Sequence, residues 1–227
     1  MANDAMLIAI DRIGFAFRHR RKMQLYAVGV AADNLGKVLV TEPPSPVTIR
    51  HNPRQGRPAV WDFGGDGYPI YQRTGGLPDI VAAHLLIVRD RSGVRRAGDV
   101  IRAVGGNDDA RGVIDGVSAQ LGTLGSGGLA AASAMSLLLP VARVIAHLVD
   151  GMRDRVIQTL SGSLYLDAER REHDDMSQAI VSPDRNIEVE ADVFLFDGET
   201  DADSTADTAR AETRLRADGL LLTEADV

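Results

Sequence analysis

Ile80-Val81-Ala82-Ala83-His84-Leu85-Leu86-Ile87-Val88 is the stretch on which the fold turns. It carries no Asp, Glu, Lys or Arg, so a strand built from it has no face suited to water. The composition predicts the middle strand of a sheet covered on both sides. His84, the polar residue within it, reads as a core histidine with its hydrogen bonds satisfied.

Towards the N-terminus the pattern stays at period 2. Met6–Ile13, Gln24–Ala31, Lys37–Val40, Val47–Arg50 and Ala59–Phe63 read as short strands. Turn chemistry separates them: Pro43-Pro44-Ser45-Pro46 and His51-Asn52-Pro53-Arg54 fix φ and remove N–H donors, and Asp62 to Gly67 forms a tight connection.

Beyond Arg89 the period becomes helical. Gly98-Asp99 opens a helix with Val100, Ile101 and Val104 on one face, ended by Gly105-Gly106. Asn107 or Asp108 caps a second helix bearing Val113, Ile114 and Val117. From Gly116 through Ala142 there are 27 residues without a formal charge. In that stretch Gly122–Gly128 is a flexible link, and Leu129–Val149 is a buried helix, interrupted or kinked at Pro140 and amphipathic towards its end.

Strands resume at Arg155–Leu160, Ser163–Leu166 and Asn186–Phe196. The last puts Ile187, Val189, Ala191, Val193 and Leu195 on one face, with Glu188, Glu190 and Asp192 opposite. A final helix is capped by Asp203 or Ser204 and runs to Ala217. The expected architecture is mainly β with an α insertion. An antiparallel β-sandwich, split between residues 1–97 and 154–197, is interrupted by a helical hairpin at 98–153. An acidic C-terminal tail at 198–227, helical in part, follows it. Two independent domains is the alternative.

Certain residues resemble a known family. Ile87-Val88-Arg89-Asp90-Arg91-Ser92-Gly93, after a half that starts Leu7-Ile8-Ala9-Ile10-Asp11-Arg12-Ile13, looks like the strand and acidic-loop order of C2-type β-sandwiches. Asp184-Arg185-Asn186 before Ile187-Glu188-Val189-Glu190 resembles the last strand of uncharacterised bacterial C2-like proteins with a Gly/Ala-rich helical insert. The resemblance implies a sandwich and places any calcium between loops near Arg18–Gln24 and Asp90–Asp99. The first loop is basic, with no carboxylate between Asp11 and Asp33. Asp90 and Asp99 fall short of the roughly six to eight oxygens calcium takes, so no calcium is expected.

The chain has 227 residues and no Cys, which excludes disulfides and cysteine-based zinc sites. A net charge of -7 argues against general nucleic-acid binding. That charge is unevenly spread: from Asp184 onward, 13 acidic residues face four Arg, a net of -9, and the preceding residues carry +2. Asp4 and the short apolar run Ala5–Ile10 do not make a signal peptide, so a cytoplasmic location is expected.

Motifs for catalysis do not assemble. Gly122–Gly128 lacks the Gly-Lys-Ser/Thr of a phosphate loop, and neither Gly125-Ser126-Gly127 nor Ser161-Gly162-Ser163 has the nucleophile-elbow spacing. No two of the five His lie at i, i+4. His173-Asp174-Asp175, beside Glu169-Arg170-Arg171-Glu172, reads as a solvated turn. Asp197 to Asp203 alternates carboxylates like an EF-hand loop, but has its glycine at the second place and Thr208 where a bidentate Glu belongs.

A non-enzymatic binding or assembly module without cofactors is therefore expected. Its candidate contact residues are Arg18, Arg20, Arg21 and Lys22 of a basic cluster, Leu137 and Leu138 of the apolar insert, and Asp197, Asp201 and Asp203 of the acidic tail. Its partner would be another protein or another copy. The alternatives are insertion of residues 116–149 into lipid and an enzyme with a loop-built site drawn from Asp62, Asp66, His84 and Asp90.

Overall fold

Alternation within residues 80–88 serves two hydrophobic cores at once. The computed structural model describes residues 5–16, 21–41, 46–51, 54, 58–64, 67–91, 98–124, 128–165, 175–181, 186–196 and 221–223. The chain passes through β1 (Ala5–Phe15), β2 (Arg21–Asp33), β3 (Val38–Thr41), β4 (Val47–His51), β5 (Ala59–Asp62), β6 (Tyr68–Thr74) and β7 (Ile80–Arg89). Three helices follow, α1 (Asp99–Gly105), α2 (Asp108–Leu121) and α3 (Gly128–Gly151). Then come β8 (Arg155–Tyr165), β9 (Asp175–Val181), β10 (Ile187–Phe196) and β11 (Leu221–Thr223).

Two antiparallel sheets result, and strands from both sides of the helices enter each. In the first, β10 and then β9 extend from one edge of β1, whose other edge is shared by β5 and β6. In the second, β7 and then β8 extend from β2, whose other edge is shared by β4 and β3, with β11 beyond β3.

Val81, Leu85 and Ile87 of β7 point between the sheets, meeting a core that includes Leu25 and Ala27 of β2 and Ile8, Ile10 and Ile13 of β1. Ile80, Ala82, Leu86 and Val88 point the other way and join Tyr26, Val28 and Val30 beneath Ile114, Val117, Leu138, Val141 and Ile145 of the helices. The second sheet is thus covered on both faces, and the layers stack as sheet, sheet and helices. On β10, Ile187, Val189, Ala191, Val193 and Leu195 are buried while Glu188 is exposed.

Local signals explain the helices. Gly98 takes φ 75° ahead of α1, and the Asn107 side chain accepts the Ala110 N–H at 2.8 Å to cap α2. α3 is not interrupted at Pro140 and continues to Gly151. Pro140 lies on the exposed side with Ser136, where a carbonyl deprived of its N–H partner is reached by solvent.

Four elements depart from the sequence reading. β6 was not anticipated, β8 is one strand across Ser161-Gly162, β9 begins inside the expected solvated turn at Asp175, and β11 lies in the expected tail. The expected helix at 203–217 lies outside the described residues.

Candidate binding site

At one end of the second sheet, four strand termini bring basic residues together. Lys22 of β2 stands opposite Arg50 of β4, and Arg89 of β7 stands opposite Arg155 of β8. Like charges placed directly across a ladder repel, so neither pair is explained by strand pairing. The ladder continues past β7 through the Asp90 N–H, which donates to the Gln24 carbonyl at 2.9 Å.

A pocket of about 260 Å³ opens at this end, lined by Met23, Arg89, Arg91, Arg155, Val156 and Ile157. Met23 belongs to the core between the sheets, and Ile157 packs against that core, so both reach the pocket from the sandwich side. The three arginines around it are exposed. Among the described residues, the ion pairs Arg12–Glu190, Arg73–Asp33, Arg102–Asp99 and Arg111–Asp108 all lie elsewhere.

Asp154 holds the rim in place. It is buried, and its carboxylate accepts the Arg91 N–H at 2.9 Å and the Tyr26 hydroxyl at 3.0 Å. One side chain thereby ties the chain leaving β7 to the chain entering β8. The sequence signal is the tripeptide Arg-Asp-Arg, present at 89–91 and again at 153–155. In both copies the central Asp is buried and the flanking arginines are exposed. Each copy has the pattern of an ordinary strand end, and only the β7–β8 register makes them neighbours.

Two further polar clusters are built differently. Fully buried Asp33 accepts the Leu35 and Lys37 N–H groups, each at 2.9 Å, on Oδ1. Its Oδ2 accepts the Tyr71 hydroxyl at 2.5 Å and Arg73 at 2.6 Å. Burial, and then the neighbouring Asp33 charge, push the Tyr71 phenol well above its usual value of 10.0. With both oxygens engaged, this cluster closes the β2–β3 turn against β6 and leaves little capacity for a ligand.

The second is His84, on the helix-facing side of β7. Its Nε2 lies 3.1 Å from the Met135 carbonyl, which can only accept, so Nε2 carries the proton and Nδ1 accepts from the Ser161 hydroxyl at 2.7 Å. Burial holds the imidazole below its usual 6.5.

Four of the nine expected contact residues, Arg21, Lys22, Leu137 and Leu138, lie among the described residues. Arg18, Arg20, Asp197, Asp201 and Asp203 lie outside the described residues, as does Asp66. Arg21 opens β2, and Lys22 is exposed beside Met23 of the pocket. Leu138 is 0% exposed on the sheet-facing side of α3, and Leu137 is half-buried. The expected loop-built grouping is not brought together. Asp62 lies on β5 of the first sheet, accepting the Gly64 N–H at 2.8 Å, while His84 faces the helices on the far side of the second sheet and Asp90 follows β7. Among the described residues, no three His, Asp or Glu side chains are grouped to hold a metal ion. Compared with family models, curated proteins and solved structures, the chain matches none.

Proposed function

We propose that this protein is a non-enzymatic binding and assembly module that meets an acidic protein segment with the cationic end of its sandwich. The observation that carries the reading is the pocket rim of Arg89, Arg91 and Arg155, with no ion-paired carboxylate among the described residues. The C-terminal residues from Asp197 onward, beyond β10, carry nine acidic residues against three Arg, a net of -6, and supply a segment of opposite sign. A second copy of the chain is therefore the simplest partner, and the C2 resemblance contributes the scaffold.

Light scattering across a salt series tests this. The expected result is an assembly larger than one chain that dissociates as ionic strength rises towards about 1 M, where exposed charges are screened within about 3 Å. Replacing Asp197, Asp201 and Asp203 together by Asn should weaken it while leaving β11 in the chain. A strict monomer that recruits no acidic partner at any salt concentration would sink the reading.

Lipid insertion is the second reading. Ala130–Gly151 has mean hydropathy 1.7 over its apolar window and is long enough to cross a membrane. In the fold, however, Leu138, Val141, Ile145 and Val149 are packed against the second sheet. Exposing each such side chain costs about 1.5–3 kcal/mol, which lipid contact would have to offset. Flotation with neutral and anionic vesicles separates the two readings, and no association with either disposes of insertion.

A further inference from the structure

The cationic pocket admits a sharper statement, which rests on reading that end as a recognition surface and names the chemistry it takes. We propose that Arg89, Arg91 and Arg155 form a binding site for the phosphate group of a small soluble phosphate ester, with inorganic phosphate as its simplest ligand. The chemistry follows from charge, shape and surroundings.

Three arginines line a space of about 260 Å³. A single carboxylate carries one charge and has one edge for a bidentate fork, so it leaves most of that cationic rim uncompensated. Phosphate carries up to two charges and presents several acceptor oxygens, which matches several forks at once. Met23 and Ile157, from the core between the sheets, add an apolar wall beside the arginines.

The rim is also preset. The Arg89–Arg155 register fixes two of the three residues opposite one another, and the Asp154 carboxylate anchors the backbone of the third at Arg91. That carboxylate is turned towards Tyr26, whose side chain belongs to the core under the helices. Asp154, buried beside the rim as Asp90 is, thus anchors it from the side of the sheet that faces the helices. A dianion bound between Arg89 and Arg155 would also offset the repulsion of two like charges that the strand register sets opposite one another.

Calorimetric titration of the full chain with inorganic phosphate at low ionic strength is the test. One saturable site with a dissociation constant of about 1 mM or tighter is expected, weakening as salt rises. Arg89→Gln and Arg155→Gln should each weaken it by about tenfold or more, the loss of one charge-assisted contact. Arg12→Gln and Arg102→Gln, at residues paired with acids elsewhere, should bind as the unaltered chain does.

Thermal melting guards against misfolding. Without phosphate, Arg155→Gln should melt no lower than the unaltered chain, and added phosphate should raise its melting temperature less. Absence of saturable binding, undiminished binding by both rim variants, equal binding of acetate, or binding only to phosphatidic-acid vesicles would each overturn the site. Salt-sensitive association in a chain that binds no phosphate would remove this inference and leave the assembly reading. Phosphate binding by a strict monomer would do the reverse.

Discussion

The Ser161 hydroxyl donates to Nδ1 of His84 at 2.7 Å across the β7–β8 pair. Since Nε2 is committed to the Met135 carbonyl, the imidazole bolts α3 to the sheet in its neutral form. Burial depresses its affinity for a proton below the usual 6.5. An unfolded chain would take up that proton near pH 6.5 while the folded chain resists, so the unfolded state binds more protons and stability rises with pH there. Stability from this group is therefore complete above about pH 6.5 and declines as the pH falls towards the folded value. The urea midpoint should drop between about pH 7.5 and pH 5.5, and His84→Gln should flatten that slope while lowering stability at the higher pH. An equal slope in the variant would show that other groups set it.

Asp33 joins β2 to β6 through charge as well as packing. Tyr71→Phe removes one hydrogen bond to a buried carboxylate and should cost about 1.5–3 kcal/mol in chemical denaturation. Asp33→Asn keeps the shape but leaves Arg73, its partner at 2.6 Å, without a countercharge, and should cost about 3 kcal/mol or more. The double variant should cost less than the sum, because both changes dismantle one network. Strict additivity would mean that the two contacts are energetically separate.

How far these features are legible in the sequence depends on whether a signal is local. Asn107 caps α2 and Gly98 precedes α1 because capping needs only neighbouring residues. β7 shows itself because it faces two cores and tolerates no charge. β6 stays hidden for the opposite reason: Pro69, Gln72 and Arg73 interrupt its apolar residues. A register shift opposite Ile8 and Ala9 also lets Ile70 and Tyr71 both be buried, which breaks the period-2 signature. The pocket is less legible still. Arg89 and Arg155 are 66 positions apart, and only strand register, invisible in composition, sets them opposite.

Gly29 is crowded both by the neighbouring strand β3 and by β6 of the facing sheet. A Cβ there would lie 2.6 Å from the Thr41 hydroxyl and 3.1 Å from Ile70. Thr41 has little freedom to move aside, because its hydroxyl accepts from Tyr68 at 2.7 Å in a buried site. Gly29→Ala should therefore destabilise by about 1–3 kcal/mol despite the better strand propensity of alanine. Adding Thr41→Ala should recover part of that loss, as the crowded atom is gone. Unchanged stability in Gly29→Ala would mean that the sheets separate more easily than this spacing implies.

Pro140 is the position where helix energetics and the observed helix disagree. Within a helix interior, proline is about 3 kcal/mol less favourable than alanine, through the missing N–H and the clash of its ring with the preceding turn. α3 nevertheless continues to Gly151, held by Leu138, Val141, Ala142 and Ile145 on its buried side. Pro140 itself is exposed and lies away from those contacts. Replacing it by Ala gives the Ser136 carbonyl a partner and disturbs no core packing, so Pro140→Ala should raise stability by about 1–3 kcal/mol in urea unfolding. The lower figure applies if the unfolded chain gains entropy from losing the ring. A fall in stability instead would show that the ring sets a bend which the sheet contacts of α3 require. Circular dichroism of the variant, with helical signal unchanged or increased, distinguishes a gain made within α3 from a rearrangement elsewhere.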